Sequence, residues 1–110
     1  MEIVSLHKCL SDPTRLRIVN LLLREPLCVC ELQEALDEPQ VKMSKHIGYM
    51  KRQGLLDVQR KANWNFYRIS PKLSEAVLAS LEAIRTGYAK DPKLSEDLKK
   101  LEHSPGAACR

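Results

Sequence analysis

Apolar residues recur at helical spacing through the first half of the chain. Ile3, Leu6 and Leu10 line one face and predict a first helix ending near Ser11. Asp12-Pro13 marks a new start, because an aspartate caps a helix and a proline in the first helical position gives up no hydrogen bond. Leu16, Val19, Leu22 and Leu23 carry a second helix to Arg24, and Pro26 stops it. Leu27-Cys28-Val29 is too short for a helix and rich in strand formers, so a short strand is expected. A third helix over residues 31–36 turns Leu32, Ala35 and Leu36 inward, and Asp37-Glu38-Pro39 makes a turn. Val41, Met43, Ile47 and Met50 mark the core face of a fourth helix, closed by Gly54 in a left-handed cap.

Beyond Gly54 the period changes from helical to alternating. Leu56-Asp57-Val58-Gln59 and Trp64-Asn65-Phe66-Tyr67-Arg68-Ile69 read as two strands around Lys61-Ala62-Asn63, a hairpin whose base is packed by Trp64 and Phe66. A long helix returns with Leu73, Val77, Leu78, Leu81, Ile84 and Tyr88. That apolar face is wide for so small a chain to cover by itself, and a homodimer interface is its natural outlet. Asp91-Pro92 breaks the helix, a short one follows over residues 94–101, and residues 104–110 read as a flexible tail. The expected division is a single functional domain over 1–90, then the short helix and tail over 91–110.

A length of 110 residues allows one domain with one modest core. An apolar fraction of 44% and a charged fraction of 29% are those of a globular chain, and no apolar run approaches the ~20 residues that span a bilayer. Met1-Glu2-Ile3-Val4 carries no basic stretch ahead of an apolar one, so no secretory signal and a cytoplasmic location are expected. In a reducing compartment the four cysteines point to metal binding or redox chemistry rather than structural disulfides.

Charge is unevenly spread. Between residues 40 and 68 stand seven lysines and arginines against a single acid, Asp57, whereas the rest of the chain holds 11 bases and 13 acids. One segment is therefore built to face phosphates. Two short helices joined by a tight turn, the second basic, followed by a basic hairpin, predict a winged helix-turn-helix: mainly α with a small β-hairpin. The fourth helix fits a major groove, with Gln40, Lys42, Ser44, Lys45 and His46 in its exposed N-terminal half. Gln40 suits adenine edges and Lys45 guanine or phosphate, with Ser44 and His46 as positioning contacts. Arg60 and Lys61 on the hairpin reach the flanking backbone or minor groove. No glycine-rich phosphate loop and no Ser/His/Asp set stands in the chain, so an enzyme is not expected.

The run Leu10-Ser11-Asp12-Pro13-Thr14-Arg15-Leu16-Arg17-Ile18 resembles the ArsR-type (ArsR/SmtB) metalloregulatory repressors, as do Leu27-Cys28-Val29-Cys30-Glu31-Leu32, Met43-Ser44-Lys45-His46-Ile47 and Phe66-Tyr67-Arg68-Ile69. The likeness covers about residues 3 to 88. It implies a dimer paired through the first and fifth helices, reading an inverted repeat with half-sites about 34–36 Å apart, and derepression by an inducer. Cys28 and Cys30 resemble the Cys-Val-Cys box of the arsenite-responsive branch, which makes arsenite or antimonite the implied inducer and no cofactor obligatory. Residues two apart on a regular helix point about 200° from one another, so Cys28 must precede the helix or the helix start must unwind.

Some relatives carry a third cysteine three residues on, where this chain has Gln33. A third sulfur would come from Cys9, Cys109 or an outside thiol such as glutathione. Cys9 itself stands where the family commonly has alanine and reads as a packing residue. A two-coordinate site and a dithiol redox switch remain open alternatives. Zinc-sensing relatives use Asp and His on the fifth helix, where this chain has neither, so zinc is disfavoured. The usual hairpin glycine is Ala62, and the neighbouring Asn63 is expected to take any positive φ.

Overall fold

The computed structural model describes residues 1–88 and 90–103. Its elements are α1 (Ile3–Leu10), α2 (Pro13–Leu22), α3 (Val29–Leu36), α4 (Gln40–Arg52), β1 (Leu56–Lys61), β2 (Trp64–Ile69), α5 (Glu75–Gly87) and α6 (Pro92–His103). The strands pair antiparallel in a two-stranded sheet. The architecture is a winged helix-turn-helix, mainly α with one hairpin: α3, the Asp37 turn and α4 form the reading pair, and β1-β2 is the wing.

Local chemistry sets most boundaries. Asp12 caps α2, its carboxylate accepting from Arg15 N–H at 3.0 Å, with Pro13 opening the first turn. Asp37 closes α3 in the left-handed conformation (φ 53°). Gly54 (φ 88°) closes α4, and Leu55 N–H returns to Met50 O at 3.0 Å. The core lies where the helices converge on the foot of the wing, around Leu6, Ile18, Leu21, Leu32, Met43 and Leu81.

Four expectations are corrected. The strand expected at Leu27-Cys28-Val29 is a single bridge: Leu27 exchanges both backbone hydrogen bonds with Tyr67, at 3.0 and 2.8 Å, and Val29 already opens α3. Val41 is 68% exposed rather than inward, since Met43, Ile47 and Met50 fill the buried stripe of α4. The left-handed residue of the wing turn is Ala62 itself (φ 54°), not Asn63. Trp64 does not pack the wing base either. It pairs with Lys61 beside the turn and is exposed, at the wing's far end.

α6 is tied into the domain by charge. The guanidinium of Arg17 grips the fully buried Asp97 with two bonds, of 2.8 and 2.9 Å, and a third N–H reaches the last carbonyl of α3, Leu36 O, at 3.0 Å. Arg17 also lies 3.6 Å from Glu38, which in turn holds Lys42 of α4 at 3.1 Å. The hydrogen bonds that Arg17 donates to Asp97 raise the Arg17 pKa further above its usual value, against the opposing effect of burial.

Three stability measurements follow. In urea unfolding, Asp97→Ala costs about 3 kcal/mol, because it strands a largely buried guanidinium. Lys100→Ala, which breaks only an exposed pair with Glu96, costs less than about 0.5 kcal/mol. Ala62→Gly stabilises by about 0.5 kcal/mol, by relieving a left-handed Cβ.

Candidate nucleic-acid interface and thiol pair

With Met43, Ile47 and Met50 buried, α4 presents Gln40, Lys42, Ser44 and Lys45 outward, and Lys51 and Arg52 extend that surface at its C-terminal end. Lys42 is partly engaged by Glu38, so a phosphate there would compete with an existing partner. His46 is turned aside and half-buried, its Nε2 3.8 Å from the cap carboxylate Asp12. Burial opposes ionisation of Asp12, but the Arg15 N–H and the charges of His46 and Arg15 together bring its carboxyl below the usual range. His46 thus joins the start of α2 to the middle of α4.

Arg15 makes a parallel join. Its guanidinium donates to Cys9 O at 2.9 Å and Lys8 O at 3.0 Å, satisfying carbonyls at the end of α1, and stacks 4.6 Å from the ring centre of Tyr49 on α4. The orientation of α4 is in this way fixed to α1 and α2 by two side chains.

Between α4 and the wing lies a cavity of about 440 Å³, lined by Val29, Ser44, Lys51, Arg52 and Tyr67 among others. Lys51 and Arg52 entered the charge count of the sequence but were not singled out as contacts. Standing seven and eight positions after Ser44, they share its face of α4, and the packed wing closes that face into a groove. Arg60 and Lys61 stand exposed near the wing tip, and neither has an ion-pair partner among the described residues. The base of the wing is closed by Arg68 on Asp57 at 2.9 Å, and that bond with Arg68 holds the Asp57 carboxyl below its usual range.

The two box cysteines occupy unlike positions. Cys28 is the N-cap of α3, with extended backbone (φ −84°, ψ 166°), and its side chain is buried. Cys28 N–H donates to Glu31 Oε1 at 3.1 Å, while the Cys28 sulfur takes the reciprocal place against the Glu31 N–H. This is a capping box with sulfur where serine or threonine usually stands, and Cys28-x-x-Glu31 carries its spacing. Burial raises the Cys28 pKa, and the nearby Glu31 carboxylate adds to this while its N–H works the other way. Cys30 lies in the first turn of α3 and is exposed. Since Cys28 precedes the helix, the 200° separation of two helical positions does not govern the pair.

Cys9 is buried at the end of α1, where desolvation raises its pKa against the pull of Arg15. Among the described residues no group of three or more Cys, His, Asp or Glu side chains is arranged to hold a metal ion, so Cys9 does not complete a three-ligand set with the pair. Cys109, with the expected tail, lies outside the described residues. Two neighbouring thiols suit a soft, thiophilic ion and do not suit a hard one.

A family described as "Bacterial regulatory protein, arsR family" matches residues 12–58, the span from the α2 cap into β1. The arsenic resistance transcriptional regulator ArsR2 of Pseudomonas putida is 35% identical over 104 residues, 94% of this chain and 89% of that one. ArsR1 of the same organism is 42% identical over 78 residues; the match takes in 70% of this chain and only 61% of that protein's length. Among solved structures, reduced HlyU from Vibrio cholerae superposes with a TM-score of 0.70 at 32% identity, over 79% of this chain and 88% of that one. The AntR antimony-specific transcriptional repressor gives 0.61 at 32% identity, over 73% and 70%.

The thiols should differ in reactivity. An uncharged alkylating reagent, followed by peptide mass spectrometry, should label exposed Cys30 first. Cys28 should lag at neutral pH and still be gaining rate above the pH where an ordinary thiol has levelled off, because burial keeps it protonated. Equal rates and equal pH profiles would remove the physical distinction between them.

Proposed function

Because the chain belongs to the arsR family of bacterial regulatory proteins, we propose that it is a DNA-binding transcriptional repressor, working as a cytoplasmic homodimer on an inverted-repeat operator and released when trivalent arsenic or antimony binds Cys28 and Cys30. In this reading α4 enters the major groove through Gln40, Lys42, Ser44 and Lys45, with His46 as a positioning residue, and the wing brings Arg60 and Lys61 to the flank. The dimer would form through α1 and α5, which leave Ile3, Val4, Leu78 and Tyr88 exposed. Two copies of α4 are then available for two half-sites. The names of ArsR2 and AntR support an arsenic or antimony inducer.

The observation that carries the sensor reading is that Cys28 caps α3. Arsenous acid exchanges a hydroxyl for each thiol it takes, the thiol proton leaving with that hydroxyl, so two As–S bonds form, two As–O and two S–H bonds break, and two waters leave. The Cys28 sulfur then has to serve the ion as well as the first turn of the helix. Reorienting it pulls on the start of α3, and α3 is the element against which α4 is set. A third donor, if one is used, would be Cys109 or a small thiol from solution.

A thiol-redox switch is the second reading, supported by the likeness to reduced HlyU. Peroxide and a thiophilic ion both take the thiolate, which burial of Cys28 disfavours, so the two readings are separated by the response to peroxide against the response to arsenite.

The test is an operator titration at fixed salt with arsenite, antimonite, cadmium and peroxide. Cys28→Ser is a clean variant, because serine caps a helix as well as cysteine does. Cys28→Ser and Cys30→Ser should stay bound in arsenite or antimonite, while Cys9→Ser is released like wild type. Wild type that holds the operator equally well with both thiols occupied would end the sensor reading. Lys45→Ala should lower the slope of log affinity against log salt by about one.

A further inference from the structure

The wing's two faces can be assigned from its register. Partners across an antiparallel pair share a face, and neighbours along a strand alternate. Leu56, Tyr67 and Ile69 pack against the core, so Val58, Arg60 and Asn65 share their side. Asp57, Gln59, Lys61, Trp64, Phe66 and Arg68 lie on the other. At the base of that outer face Asp57 and Arg68 neutralise one another. At its far end stands Trp64, exposed, directly across from Lys61 and one residue pair beyond Arg60.

At the hairpin tip Trp64 keeps about a third of its surface open (36% exposed), and it is not part of the packed core. Nor is it a residue that a turn needs. The tip is also purely cationic: no acid lies between Asp57 and Glu75, while Arg60, Lys61, Arg68 and Lys72 do. An exposed indole in that setting fits a polyanion with apolar surface between its charges, which describes the minor groove of duplex DNA, with sugars along the walls and base edges on the floor.

From this we propose that Trp64 is a DNA-contacting residue, an apolar wedge that the wing lays into the minor groove while Lys61 and Arg60 take the phosphates on either side. The inference rests on the reading of the chain as a DNA binder and adds to it a residue whose contribution is apolar and does not scale with salt. It also explains why the turn keeps Ala62 in a left-handed conformation: that geometry brings the register round so that Trp64 directly faces Lys61.

The chain has one tryptophan, so its emission reports this position alone. On saturation with operator DNA, the emission of wild-type protein should change and become shielded from iodide. Trp64→Ala should weaken operator binding about tenfold, with the salt slope of wild type, and Trp64→Phe should recover most of the loss. Lys61→Ala, in contrast, should lower the salt slope. Shielding together with the unchanged slope of Trp64→Ala supports the wedge.

Emission that stays equally open to iodide in the saturated complex overturns it, whether or not the alanine variant folds. So does a folded Trp64→Ala protein that binds like wild type. A wild-type protein that binds no DNA at all overturns the DNA-binding reading and the wedge with it, an outcome distinct from wild-type binding with Trp64 left in solvent.

Discussion

The arrangement of the reading pair depends on one guanidinium. Arg17 on α2 satisfies both oxygens of a carboxylate buried on α6, the last carbonyl of α3 and, at longer range, the Glu38 side chain that holds Lys42. A planar fork with five donors can serve several acceptors at fixed angles, which an ammonium cannot. The burial of Asp97 makes the arrangement all-or-none, because a buried carboxylate without its partner is far costlier than the pair is beneficial. The end of α3 is therefore pinned, and the turn leading into α4 is pinned with it.

That pin gives the opposite end of α3 its significance. An eight-residue helix is about 12 Å long and behaves as a stiff rod. With Leu36 held by Arg17, a pull on the cap at Cys28 cannot be absorbed by sliding the far end. It has to appear as a tilt, or as fraying of the first turn, and either alters what α4 packs against. Serine in the cap position would support the helix equally well, so stability alone gives no reason for a thiol there. Sulfur adds affinity for soft ions, at the residue where local chemistry and helix geometry are the same thing.

The contacts around α4 share one further property. Arg15 and His46 both run from the α1–α2 junction to α4, one through the Tyr49 ring and the other through the Asp12 cap. Of the helices that leave apolar residues uncovered at the surface, α1 is thereby linked to the helix proposed to read DNA, through side chains rather than through backbone continuity. A dimer built on α1 and α5 would set the spacing of two α4 helices with little slack.

What could be read from the sequence was local. Asp12-Pro13, Gly54 and the change from helical to alternating period are signals within a few residues of the features they cause, so the order of helices and the hairpin were legible, as was the basic character of residues 40–68. Cys-x-x-Glu at 28–31 was equally local; reading its spacing as a capping box would have found the cap. The remainder was decided by tertiary structure. Asp97 and Arg17 meet across 80 positions, and nothing near either one announces the other. Val41 faces solvent because three other residues already fill the stripe. Trp64 lies on the outer face because a cross-strand register, set by which neighbours pack on the core, assigns every second residue of a strand to one side or the other. Short-range patterns specify which elements form; the face each presents, and the partner it finds, depend on distant surfaces competing for the same core.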